Sequence, residues 1–488
     1  MIYSDAVIIG AGLLGCFAAR ALAAYDLKLT VLEQREDVCT GISRANTGIV
    51  YTGCDTKTGT LKTRLCVNAN ENFAELCREL DVRFARTGSL MVSFGERADD
   101  VLKKKYEQGR ENGVKGLELL DKAETLRREP NLAENVRRAL YAPGTGTVDP
   151  WELGIAAYEN ASANGVEFRL GEKLLRMERQ DGAFMLETDK DSYHCRAVLN
   201  CAGLSAPAVR EMLITPLVRI FPSAADYMVL DTKLRGYVKH VIFHEPEVKG
   251  KGLTLVPTVD GNILVGPTEY DFDTQEDYAT TAFGLERLRR LCGEIMPGLD
   301  LSQLIRNFGS MRPNPYYVHE ENGVWVPEGK NISSFTVLEE DGLFSLIGIK
   351  TPGLSCAAEL GKYMAEKLTD YIGCDRKNPA FDPIRKGITR VKDMDTESRK
   401  KLVEGNSDYG KIVCRCREIT RGEVLEAIER GAMTVDGVKR RTGAGMGRCQ
   451  GGYCMQSIME ILMERTGMTA AEIRKDGADT PILNDGTF

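Results

Sequence analysis

The apolar positions near the start of the chain are continuous rather than periodic. AVII (6–9) is a short hydrophobic run that stops at a glycine cluster, the pattern of a strand buried on both faces. An alanine-rich stretch to about Tyr25 then predicts a helix, and residues 28–33 predict a second strand. Strand, glycine turn, helix and strand in that order open a doubly wound α/β fold. The same grammar returns twice. RAVLNCAG (196–203) reads as a strand ending in a glycine turn, and LFSLIGIKTPGLSCAAELGKYMAEKL (343–368) as strand, turn and helix. Between them LTLVPTVDGNILVGPT (253–268) carries Asp260-Gly261 between two apolar runs, a hairpin signal.

The expected architecture is a Rossmann-like nucleotide-binding domain in separated segments (about 1–85, 140–212 and 335–381), with a mixed β-sheet substrate domain (about 86–139 and 213–334) inserted. Residues 382–410 are polar and charge-dense and read as a linker, leaving 411–488 as a small C-terminal module. There, Thr420 with Glu423 and Thr469 with Glu472 are capping-box pairs, while Gly431 and Gly467 stand as helix stops.

Composition narrows the class. A chain of 488 residues suggests two to four domains, and 43% hydrophobic residues exclude wholesale disorder. No run approaches the roughly 18–20 apolar residues of a membrane span. MIYSDAVIIGAG has no charged n-region and is not read as a signal peptide. Lys and Arg number 64 against 71 acids, a net −7 with no long basic block, which argues against nucleic acid as a partner. Fourteen cysteines in an unsecreted chain of this size are no disulfide framework. A cytoplasmic, multi-domain enzyme is expected.

Gly10-Ala11-Gly12-Leu13-Leu14-Gly15 is G-x-G-x-x-G after a strand and before a helix. The first glycine makes the turn, the second admits a pyrophosphate, and the third lets helix and strand pack. The helix N-terminus would hold the pyrophosphate, and Glu33, ending the second strand, would accept from ribose hydroxyls and disfavour a 2′-phosphate. FAD and NAD both fit so far. The loop Ser43-Arg44-Ala45-Asn46-Thr47-Gly48 and the small residues of Asn200-Cys201-Ala202-Gly203 together favour FAD.

Ten cysteines are scattered singly, but Cys414-Arg415-Cys416 and Cys449-Gln450-Gly451-Gly452-Tyr453-Cys454 form C-x-C and C-x₄-C pairs. In an extended segment, residues i and i+2 present side chains on one side. Four thiolates suit zinc or an iron–sulfur cluster. Zinc normally uses C-x₂₋₄-C, and the glycines of GAGMGRCQGGYC (443–454) let backbone N–H groups face sulfides, so a [2Fe–2S] cluster is favoured.

The C-terminal module resembles the bacterioferritin-associated-ferredoxin-like domain of the large subunit of FAD-dependent, anaerobic-type glycerol-3-phosphate dehydrogenases. GAGLLG, NTGIVYTG (46–53), GTVDPWEL (146–153), NCAG, Met311-Arg312-Pro313 and Gly348-Ile349-Lys350 resemble the same large subunit, as well as the D-amino-acid-oxidase-like flavoproteins. GTLKTRLC (59–66) and GIKTPGLS (348–355) echo L-2-hydroxyglutarate dehydrogenase.

The resemblance implies that Arg312 and Lys350 face the substrate. It extends the FAD contacts to Gly353 and Leu354, and it implies oxidation of sn-glycerol 3-phosphate with electrons leaving through the cluster. It also implies an electron-acceptor subunit or carrier, a hetero-oligomer, and membrane contact only through partners. Tyr51 stands where glycerol-phosphate enzymes usually carry a histidine, and is a catalytic candidate. Lys350 stands where the hydroxyglutarate family usually has an acid, which favours phosphate. Oxidation of a 2-hydroxy acid or amino acid, or an electron-transfer flavoprotein without its own organic substrate, are the alternatives. His194, His240, His244 and His319 lie outside the matched motifs and are expected to be structural or exposed.

Overall fold

The computed structural model describes residues 1–244, 252–271 and 279–483. Its residues gather into two compact units: Met1–Gln34 with Cys39–Ile384, and Arg35–Val38 with the chain from Arg385 onward. In the first unit, β1 (Ile2–Ile9) runs into α1 (Leu13–Leu22) and then β2 (Leu29–Glu33). Strand β1 is parallel to β2 and to the strand Ser192–Asn200. That last strand is also parallel to Leu343–Ile347, so the glycine turns after β1 and after Asn200 open at one end of a single eight-stranded sheet. The apolar runs are continuous because the sheet is covered on both faces; Val7, Ile8, Val31 and Val198 are wholly buried.

Among the described residues the inserted region forms a nine-stranded mixed sheet. The Asp260-Gly261 hairpin is present, joining Thr254–Pro257 to Ile263–Val265 in antiparallel register. Leu90, Val92, Ile242, Leu255 and Leu288 fill the core of this layer. A smaller cluster places Ile49 against Ala225, Tyr227, Val241 and Val256, and Tyr51, Phe243 and Phe308 pack on its edge.

The second unit surrounds Ile419, Val424, Val438, Ile458 and Leu462. Thr420 and Glu423 complete a capping box at the start of Arg421–Glu429. Thr469 and Glu472 do bond to each other, at 2.7 Å, but only a turn follows. The run before Gly477 is too short to offset the cost of nucleating a helix.

The stretch 382–410 also differs from a plain linker. It divides after Ile384, and its later part carries the helix Thr396–Gly405, capped by Asp395 accepting from the Ser398 N–H at 2.9 Å. Ile388 joins the apolar core of that unit. The polar composition concealed one docking residue and one cap.

Candidate active site and cluster centre

The glycine turn shows which of its residues serve the protein and which leave room. Gly10 has φ 97°, and a Cβ there would stand 2.7 Å from the Cys201 carbonyl oxygen. A Cβ on Gly15 would overlap the Gly10 carbonyl oxygen. Gly12 is different, since a Cβ would meet only the Ser43 hydroxyl, at 3.3 Å.

Gly12 caps α1 with no side-chain bond and no acid in the first turn, so the positive helix end is left for an anion. The Leu13 N–H donates to Ser43 Oγ at 3.1 Å. Leu13 is buried and Leu14 half-buried, so their part at this turn falls to the backbone. Glu33 accepts the Ala11 N–H at 2.8 Å, which fixes its carboxylate beside the turn. A bare helix end beside an anchored carboxylate fits the pyrophosphate and ribose of FAD.

The loop after β2 is gripped from several sides. Asn46 donates to the Ser43 carbonyl and accepts from the Gly48 N–H, both at 2.8 Å, so its amide shapes the loop. The Arg44 carbonyl accepts from Trp151 Nε1 at 3.0 Å, and the Gly48 carbonyl from the Val148 N–H at 2.9 Å. Ser310, on the strand ending at Arg312, donates to the Ala45 carbonyl at 2.6 Å. Ser355 accepts the Tyr51 N–H at 2.9 Å and donates to the Ile49 carbonyl at 3.2 Å. Ala202 donates its N–H to Asn200 Oδ1 at 3.2 Å, and Gly203 turns with φ 61° into open space. Gly353 and Leu354 begin the helix Gly353–Ile372, with the Gly353 N–H on the Lys350 carbonyl at 2.8 Å.

These grips bring three distant segments together. The charge of Arg312 acts on both Tyr51 and Lys350, and that of Lys62 acts on Lys350. Lys350 is 8% exposed and reaches toward Asn314 Oδ1 at 3.5 Å. Asn314 donates to Ser223 Oγ at 2.9 Å, Ser223 meets Glu269 at 3.3 Å, and Glu269 stands 3.6 Å from Arg312 Nε. A continuous polar chain therefore runs from one cation to the other.

Burial, followed by the charges of Arg312 and Lys62, lowers the Lys350 ammonium to about 8. Burial also lowers Arg312. Burial and then Asp55 push the Tyr51 hydroxyl well above its usual value, against the opposing bond to Thr47 and the charge of Arg312, so it stays protonated at neutral pH. The Tyr51 ring lies 5.8 Å from that of Phe243.

None of the four histidines enters this cluster. His240 meets Glu129 at 3.1 Å, His194 stacks on Tyr3, His244 packs beside Phe94, and His319 is exposed.

In the second unit the C-x-C segment is not extended throughout. Cys414 ends the strand Ile412–Cys414, while Cys416 lies in the turn that follows, so one is buried and the other exposed. The turn, with Glu418 at φ 57°, replaces the parallel display expected of a strand. The four thiols meet as two contacting pairs, Cys414 with Cys454 and Cys416 with Cys449.

In each pair one sulfur is held toward thiolate. Cys414 falls to about 6 because Cys454 donates to it and the N–H groups of Gly445, Arg417 and Cys416 face it, against the effect of burial. Cys449 is also lowered: burial opposes this, but the N–H groups of Tyr453 and Gly451 and the thiol of Cys416 outweigh it. A Cβ on Gly447 would collide with Cys416 Cβ, so this bed closes only around glycine. Among the described residues no three His, Cys, Asp or Glu side chains are grouped to hold one metal ion. Four thiols ringed by backbone N–H donors fit a [2Fe–2S] cluster, whose sulfides would accept from such donors.

Residues 5–367 match the FAD dependent oxidoreductase family, and residues 412–464 match the BFD-like [2Fe-2S] binding domain. The chain belongs to the FAD-dependent oxidoreductases.

This flavoprotein is 38% identical to a glycerol 3-phosphate dehydrogenase of Caloramator mitchellensis, covering 99% of this chain and 98% of that protein. It is 24% identical to one subunit of the anaerobic glycerol-3-phosphate dehydrogenase of Escherichia coli, covering 96% and 90%. Its fold is shared with the FAD-bound L-alpha-glycerophosphate oxidase of Mycoplasma pneumoniae. There the TM-score is 0.71 at 22% identity, with 79% of this chain and 99% of that one covered. FAD and a [2Fe–2S] cluster are the cofactors of the flavoprotein, and no helix among its described residues is long and apolar enough to cross a membrane.

Sequence reasoning missed Ser223, Glu269, Asn314 and Ser355 as parts of the site. Asn314 follows the quoted Arg312-Pro313, so proximity to a motif was its only signal.

Proposed function

We propose that the flavoprotein oxidises the secondary alcohol of sn-glycerol 3-phosphate, yielding dihydroxyacetone phosphate, and exports the electrons singly to a partner subunit or carrier. The observation that carries this reading is the polar chain that joins buried Lys350 to half-buried Arg312 through Asn314, Ser223 and one carboxylate, Glu269. The Caloramator relative, named for this substrate and aligned across both domains, supports it. The Escherichia coli relative is named as one subunit of its enzyme, which supports assembly with other chains.

The glycine turn, Glu33 and the loop 43–48 would hold FAD, which would supply a two-electron acceptor, and Cys414, Cys416, Cys449 and Cys454 would hold the cluster, which would supply one-electron export. Arg312 offers a planar fork to phosphate oxygens and Lys350 adds a point charge. Tyr51, protonated and fixed through Thr47 and Ser355, donates to a substrate oxygen and holds the carbinol in one orientation. The Phe243 ring packs beside that of Tyr51 at 5.8 Å and supports its orientation.

Anaerobic titration of the purified protein tests the reading. Glycerol 3-phosphate is expected to bleach the flavin band. Bleaching by 2-hydroxy acids or amino acids alone, or by none of these, would overturn the assignment.

A further inference from the structure

We infer that residues 34–38 couple the two cofactor sites, with Asp37 as the positioning residue that makes FAD binding and cluster retention depend on each other. Both ends of this short segment are fixed on one residue of the glycine turn. Before it, the Glu33 carboxylate accepts the Ala11 N–H at 2.8 Å; after it, the Cys39 N–H donates to the Ala11 carbonyl at 2.9 Å. Between these two feet, Arg35–Val38 belongs to the compact unit that carries the cluster cysteines.

Asp37 is where that unit takes hold. Arg441 grips its carboxylate with both ends of the guanidinium fork, each at 2.9 Å, and Arg440 adds a donor at 2.8 Å. All three side chains are buried, and Arg440 also holds Asp476 at 2.6 Å. The two arginines stand in the last turn of the helix Val435–Thr442. Gly443, at φ 82°, then turns the chain into the loop that carries Cys449 and Cys454.

Chain geometry makes the coupling. Asp37 precedes Cys39 by two positions, and a residue advances the chain by at most about 3.6 Å, so little slack separates it from the foot on Ala11. A pyrophosphate on the bare end of α1 and a ribose on Glu33 would order Ala11 and both feet. With the feet ordered, Asp37 stays seated. Withdrawn, it leaves Arg441 a buried charge without this carboxylate, which disfavours the helix and the loop beyond it. A ligand that favours the seated state therefore favours the cluster, and the dependence is reciprocal.

A plain structural staple would stabilise the module equally with FAD present or absent. Release of iron to a chelator, followed anaerobically in FAD-replete and FAD-stripped protein, separates the two. FAD is expected to slow the release in wild type. Asp37→Asn should lose iron faster, at a rate that FAD no longer changes. Asp476→Asn weakens the hold on the same Arg440 from within the module, and should lose iron faster while keeping the FAD dependence.

The reciprocal measurement needs no variant: wild-type protein stripped of its cluster should bind FAD about five- to a hundredfold more weakly than cluster-loaded protein. No substrate enters these measurements. Iron release indifferent to FAD in wild type, or FAD affinity indifferent to the cluster, would overturn the inference. So would FAD dependence that persists in Asp37→Asn or disappears in Asp476→Asn.

Discussion

Lys350 shows how one residue acquires chemistry from its surroundings. A lysine on a surface keeps its proton well above neutral pH, but burial among cations brings this one to about 8. Protonated, it attracts the substrate; neutral, it does not. The efficiency kcat/KM for glycerol 3-phosphate is therefore expected to fall on the alkaline side with an apparent pKa near 8, and Lys350→Arg should move that limb to higher pH. Truncating Arg312 or Lys350 leaves the anion poorly paired, at a cost of about 2–5 kcal/mol, over a thousandfold in kcat/KM at the upper end. Lys350→Glu places like charge against phosphate and should cripple the reaction; near-wild-type kinetics in that variant would mean that no phosphate sits there.

The same reasoning has the opposite sign for Asp37. Burial would raise its carboxyl, but Arg441 and Arg440, with donors at 2.9 and 2.8 Å respectively, hold it low. A depressed carboxyl pKa contributes stability above the unfolded value of about 4, and that stability is lost as pH falls through the folded one. Asp37→Asn removes the carboxylate that two buried guanidiniums share and should cost about 3–5 kcal/mol, measured as a lower thermal midpoint at pH 7 whose gap from wild type narrows under acid.

At the scale of elements, the turn between β1 and α1 separates packing from binding. Gly15 is required because a side chain there would overlap the Gly10 carbonyl of the same turn, while at Gly12 a methyl group meets little of the protein itself. Gly15→Ala is expected to lose both stability and FAD. Gly12→Ala should keep the fold and weaken FAD, and FAD titration with thermal melting distinguishes the two. Equal loss of fold in both variants would mean that Gly12 serves packing as well. The turn and its flanking strand and helix were legible in the sequence, because each depends on neighbours within a few residues. The display of Cys416 was not, since the turn at Glu418 is set by pairing of the strands Ile412–Cys414 and Ile419–Thr420.

Across the whole chain, two units with their own cores carry two kinds of redox chemistry. The cluster is expected to lie downstream of substrate oxidation. Cys449→Ser should remove iron and sulfide while glycerol 3-phosphate still bleaches the flavin. Loss of bleaching with FAD retained would reverse that order.

Consecutive residues were enough to read the doubly wound strands, the glycine turn with Glu33 beside it, and the two cysteine pairs proposed to hold the cluster. Each of these is local, because a strand, a tight turn or a short thiol pair is written in consecutive residues whose spacing has few physical solutions. Only the tertiary structure decided the company of Arg312 and Lys350. Ser223, Glu269 and Asn314 come from three separate stretches of chain, and nothing in their spacing marks them as neighbours. Burial decided their behaviour, because the charge states of Lys350 and Tyr51 depend on how much water the fold removes and which charges it leaves beside them.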